Sequence, residues 1–117
     1  MITANDLKRA EKLLRELPYM ESALAYYNSL ADAPISDRVR RALNGKQKNV
    51  HNSVTAVQRA LSMLSPTERR VADELFFAEK PDIAELCEDC GLAKSSIYRH
   101  RRHILEKVVA AVWGKGL

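Results

Sequence analysis

Six consecutive residues, Tyr98-Arg99-His100-Arg101-Arg102-His103, concentrate the reactive side chains of this 117-residue chain. A guanidinium is a planar fork of donors that fits a phosphate or the edge of guanine in two parallel hydrogen bonds. Lys94, Ser95 and Ser96, just ahead of the run, add a cation and two hydroxyls. The same region also suggests a metal, because Cys87-x-x-Cys90 precedes His100-x-x-His103. Nine residues separate the two pairs, which is short of the usual zinc-finger interval, and the His pair is tighter than the common form. Free thiols without zinc are therefore expected. A thioredoxin-like Cys pair would follow a strand, and no strand is evident. There is no Gly-rich phosphate loop and no Ser, His and acid grouping, so neither an enzyme nor a cofactor is expected.

The elements that must position the basic run follow from its punctuation. Ser65-Pro66-Thr67-Glu68 is a capping box with Pro at the first helical position, which predicts a helix over residues 66–78. Asp82-Ile83-Ala84-Glu85, directly after Pro81, starts a second, short helix, and Gly91 stops it. Residues 91–93 are then a tight turn into a long third helix over 94–112 that carries the basic run. Two helices joined by such a turn, the second one basic, form a helix-turn-helix pattern that lays its second helix in the DNA major groove. Cys87 supplies the small residue needed four positions before the turn Gly, and Leu86, Leu92 and Ile97 are apolar plugs for the crossing. His100, three after Ile97 and four before Ile104, falls on the core-facing stripe and reads as structural.

Charge is distributed in the same sense. Residues 66–90 hold three Lys/Arg against eight Asp/Glu, whereas residues 91–117 hold six against Glu106 alone. Such a polarised domain orients itself in the field of a polyanion. The alternative is a solvated helix whose cations pair with the acidic neighbour, but Arg99, Arg101 and Arg102 cannot all face one side. Aromatics make up only 6% of the chain, so the core must be aliphatic. No apolar run is long enough to span a membrane. The first residues lack the pattern of a secretory signal, and two Cys without one suggest reduced thiols in a cytoplasm.

The N-terminal part reads as helical too. Leu7, Ala10, Leu14 and Leu17 form a narrow seam, with a break or kink expected at Pro18. Met20, Leu24 and Tyr27 resume the pattern. Ala31-Asp32-Ala33-Pro34 reads as a loop, followed by a short basic helix over 37–43 that Ser36 caps and Asn44-Gly45 stops, then a polar, mobile stretch at 46–49. Val50, Val54, Val57, Leu61 and Leu64 form a second seam over two heptads. Either the seams pack within one chain or they build a dimer; two narrow seams in so small a chain favour a dimerisation unit.

Leu64-Ser65-Pro66-Thr67-Glu68-Arg69-Arg70-Val71 resembles the opening of the DNA-binding domain in sigma factor region 4 and LuxR-type regulators. Gly91-Leu92, Ser96-Ile97-Tyr98-Arg99-His100-Arg101 and Leu105-Glu106-Lys107 are most similar to ArpU/RinA-type phage late transcription regulators. The similarity covers roughly residues 50–113; ahead of that it is one of length and helical character. It implies a bacterial cytoplasm, double-stranded DNA as partner and a contact with RNA polymerase. Where those families often cap the recognition helix with Ser or Thr, this chain has Ala93, and capping by Ser95 would start the helix later.

These readings combine into an all-α protein with a helical dimerisation part over 1–64 and a sigma-region-4-like helix-turn-helix domain over 65–117. The expected function is sequence-specific DNA-binding transcription regulation by a homodimer. Arg99 is assigned to a guanine and Tyr98 to a thymine methyl or a phosphate. Lys94, Ser95 and Ser96 line the groove side, Arg101 and Arg102 suit flanking phosphates, and Thr67 and Arg70 lie near the backbone. The alternative is a small helical module that binds a protein such as RNA polymerase through its acidic helices.

Overall fold

The computed structural model describes residues 1–116, and among them every regular element is helical. The elements are α1 (Ala4–Ser29), α2 (Asp37–Ser62), α3 (Pro66–Ala72), α4 (Ile83–Cys90) and α5 (Lys94–Trp113). α3 runs on without a break into a π-helical turn, Asp73–Phe77. None of these helices is long and apolar enough to cross a membrane.

Side-chain caps fix most of the starts. Thr3 and Asp6 close a reciprocal box at α1, the Asp6 amide donating to Thr3 Oγ1 at 3.1 Å and the Thr3 amide to Asp6 Oδ2 at 2.9 Å. Ser65 and Glu68 build the same device at α3. Ser36 accepts from the Val39 amide at α2, and Asp82 from the Glu85 amide at α4. Each cap satisfies an amide that would otherwise lack a partner, a contribution of about 1 kcal/mol.

Two expected interruptions are absent. α1 passes through Pro18, and α2 passes through Asn44-Gly45 and takes in residues 46–49. Pro18 is exposed, so its ring meets solvent, while Leu14 and Leu17 before it are buried and Met20 and Leu24 after it pack on the core. Packing on both sides holds the helix across the missing N–H. Gly45 has open space around it and no positive φ. Its intrinsic cost of about 1 kcal/mol is too small to stop a helix already propagating on both sides.

α1 and α2 form an antiparallel hairpin, with Gln58 bonded to Glu21 and, nearer the loop, Gln47 bonded to Asn28. The loop is held by Arg40, whose guanidinium donates to the carbonyls of Ala31 at 2.5 Å and Ala33 at 2.7 Å. The two apolar seams close on each other and on α5 at the base of this hairpin. Ala10, Leu14, Leu17, Val54, Val57 and Leu61 are buried there beside Val71, Phe76, Ile104, Leu105 and Val108. A single core therefore spans residue 64. Most of the seam side chains are thus covered within the chain, while Leu7, Val50 and Leu64 stay half-buried.

The hairpin outruns its core. No residue from 18 to 53 is buried, so the outer parts of α1 and α2 form an arm on a molecule 56 Å long and 21 Å thick.

Candidate nucleic-acid interface

α4 and α5 meet at a turn whose geometry is set by one residue. Gly91 takes a left-handed conformation, φ 63°, which a side chain would disfavour. The Leu92 amide then donates to the Cys87 carbonyl at 3.1 Å and the Gly91 amide to that of Glu88 at 3.3 Å. This pair of bonds closes the C-terminus of α4 as a Schellman motif. Leu86 and Ile97, on either side of the turn, are fully buried and pin the two helices to the core. Cys87 and Cys90 are half-buried free thiols. No group of three or more His, Cys, Asp and Glu side chains converges as a metal site among the described residues.

α5 begins at Lys94, with Ala93 in the cap position and no side chain capping it. Ser95 does not cap the helix. The Ala93 carbonyl accepts from the Ser96 and Ile97 amides, at 3.0 and 3.2 Å. The N-terminal end of α5 therefore lacks the side-chain acceptor that the other four helices have, and unpaired amides at such an end attract anions.

The expected contact residues fall into two groups. Lys94, Ser95, Tyr98 and Arg99 are exposed on the first turns of α5, Ser96 is half-buried, and Thr67 is exposed at the start of α3. Lys94 and Arg99 pair with no carboxylate among the described residues, and Tyr98 keeps half of its surface open. Further along α5 and just after it, every Lys and Arg is engaged among the described residues. Arg101 reaches Glu11 of α1 at 2.7 Å and lies 5.8 Å from the ring of Phe76. Arg102 pairs with Glu106 at 2.9 Å, Lys107 with Glu68 at 2.8 Å, and Lys115 with Asp6 at 3.1 Å. Arg70 is likewise held, by Asp89 at 2.9 Å and Glu74 at 3.6 Å. His100 is half-buried and His103 exposed.

These pairs shift their carboxyls. Asp6 is lowered from its ordinary value to about 2, first by the Thr3 amide and then by Lys115. Burial alone would raise Glu11, but hydrogen bonds from Arg101 and Arg15 bring it below its ordinary range. Burial acts on Glu68 in the same way and is outweighed by Lys107 and the Ser65 amide. The hydrogen bond to Asp89 raises the already high pKa of Arg70.

The clamping carboxylates Asp6 and Glu11 were not legible as partners of the C-terminal cations, since 109 and 90 residues separate them from Lys115 and Arg101. Glu68 had a signal, its place in the capping box, although nothing pointed to Lys107. Comparison with known proteins adds no relative, since no family model, no curated protein and no solved structure matches the chain.

Proposed function

We propose that this chain is a sequence-specific, double-stranded-DNA-binding transcription regulator, phage or prophage encoded, working in a bacterial cytoplasm. α4 and α5 are its helix-turn-helix, and the first two turns of α5 enter the major groove. The observation that carries this reading is the division of cations along α5. Among the described residues those on the first turns are exposed and unpaired, whereas beyond them Arg101 and Lys107 are paired to other helices and Arg102 only to the exposed Glu106 of its own helix. A helix entering end-on needs free donors at its beginning and a firm seat at its end.

In this mechanism Arg99 offers a bidentate pair to guanine, and Tyr98 packs on a thymine methyl or reaches a phosphate. Lys94, Ser95 and the open amides of α5 meet the flanking backbone, with Thr67 beside them. Arg102 can leave Glu106 for a phosphate, while Arg101 keeps α5 on α1. The resemblance to ArpU/RinA-type regulators and sigma region 4 supports the same reading and adds RNA polymerase as a partner. A two-fold dimer would ask for an inverted repeat with half-sites about 10 bp apart or a multiple of that.

Selection of duplexes from a random pool, followed by binding curves at two salt concentrations, tests this. Affinity should fall steeply with salt. Arg99→Ala should cost about 1–3 kcal/mol on the selected site and relax one base pair. Arg102→Ala should weaken selected and scrambled duplexes alike and lower the salt slope by about one unit. If Arg99→Ala weakens both duplexes equally, base reading belongs to another residue.

A second reading, a helical module that binds a protein such as RNA polymerase, is favoured by Glu85 and Glu88. Both are exposed on α4, and neither joins an ion pair among the described residues. Loss of polymerase binding in Glu85→Gln/Glu88→Gln, with no selected duplex, would support it.

A further inference from the structure

The outer half of α1 is exposed but almost uncharged. Among residues 17–29 only Glu21 carries a charge, and it is turned toward α2, where it accepts from Gln58 Nε2 at 3.1 Å. Tyr19, Ser22, Tyr26 and Ser29 step by three, four and three, and all four are exposed. At 3.6 residues per turn they fall within an arc of about 80°. Tyr19 keeps 78% of its surface open and Tyr26 61%. Ser29 Oγ donates to the Tyr26 carbonyl at 2.6 Å, so its hydroxyl is satisfied without water.

We infer that this face docks on the same face of a second copy of the chain, α1 against α1, antiparallel about a two-fold axis near residue 24. The register selects that partner. Positions 19 and 29, and positions 22 and 26, are both centred on 24. An antiparallel two-fold contact therefore sets Tyr19 opposite Ser29 and Tyr26 opposite Ser22, a large ring against a small side chain each time. A parallel contact would stack Tyr on Tyr and Ser on Ser.

Charge selects α1 over α2. In a two-fold contact groups near the axis meet their own copies, so a charged face repels itself. Arg38, Arg41, Lys46 and Lys48 are exposed on the outer half of α2, which bars that helix, whereas the α1 stripe has no charge. The arm also needs cover, since none of residues 18–53 is buried. Two hairpins side by side make a four-helix layer.

Sedimentation equilibrium of the full chain without DNA, at micromolar concentration, tests this. The expected particle has twice the 13.2-kDa mass of one chain. Ser22→Arg should halve it while leaving helical circular dichroism unchanged. In a Cys87→Ala/Cys90→Ala background, mixed Ser22→Cys and Tyr26→Cys chains should cross-link to each other faster than either does to itself. A monomeric wild type, a Ser22→Arg variant that stays dimeric, or preferential linkage of position 22 to itself would each overturn the proposal. Because DNA is absent throughout, failure here is separate from failure of the DNA-binding reading.

Discussion

Residues 4–16 of α1 carry seven charged side chains and residues 17–29 carry one, yet the charged half is the half that enters the core. In the inner half the charges flank a narrow apolar seam, Asp6 holding Lys115 and Glu11 holding both Arg101 and its helix neighbour Arg15. In the outer half the residues turned from α2 are neither buried nor charged. Polarity thus misleads as a guide to burial here. A helix on the surface of a small core can be richly charged, because burial follows its narrow apolar seam, while an uncharged surface can stay open to solvent.

The largest expected contrast between the halves is in cavity formation. Leu14 is fully buried at the base and Leu43 only half-buried in the arm. Leu14→Ala should cost about 2–5 kcal/mol in urea unfolding, and Leu43→Ala no more than about 1 kcal/mol. Equal costs would mean that the arm has a core of its own. Pro18 stands at the junction of the halves, exposed and lacking a donor for the turn before it. Pro18→Ala should stabilise the chain by about 1–3 kcal/mol, read in the same unfolding curves. A loss of stability would mean that the rigid ring at position 18 contributes more than its missing N–H costs.

The clamps give a smaller effect. Arg101→Ala should lower stability by about 1 kcal/mol, since the pair with Glu11 is only partly buried, and should change DNA affinity far less than Arg99→Ala. If Arg101→Ala instead weakens DNA binding without touching stability, the base does not hold that side chain in solution. Acid acts on the same clamps. Asp6, Glu11 and Glu68 have folded pKa values below their ordinary ones. The stability they contribute is therefore present above the ordinary range and is lost as pH falls. The loss should begin below the ordinary Glu value of 4.5 and, for Asp6, continue to about pH 2. Thermal midpoints measured between about pH 6 and about pH 2, against those of Asp6→Asn, check this. The variant should lose the part of the slope nearest pH 2.

Local chemistry was legible and competition with packing was not. The box at Ser65, the helix start at Asp82 and the stop at Gly91 lie where the sequence indicated, because each is decided within four residues; Asp82 caps the Glu85 amide, but the Glu85 side chain does not return the bond. The breaks expected at Pro18 and Asn44-Gly45 do not occur, because the local preference of one residue is outweighed by helix on both sides. At the candidate interface the sequence indicated the basic helix but could not say which cations were free. Arg99 and Arg101 look alike in the chain, and only the fold brings Glu11 to one of them.

α5 also separates two kinds of constraint. Ile97, Ile104, Leu105, Val108 and Val109 are buried and answer to the core, whereas Lys94, Ser95, Tyr98 and Arg99 point into solvent. None of those four positions belongs to the buried core, so the fold tolerates many side chains there. The first turns of α5 can therefore be rewritten, by drift or by a designer, at little risk to folding, and variant libraries restricted to positions 94, 95, 98 and 99 should remain largely soluble and helical.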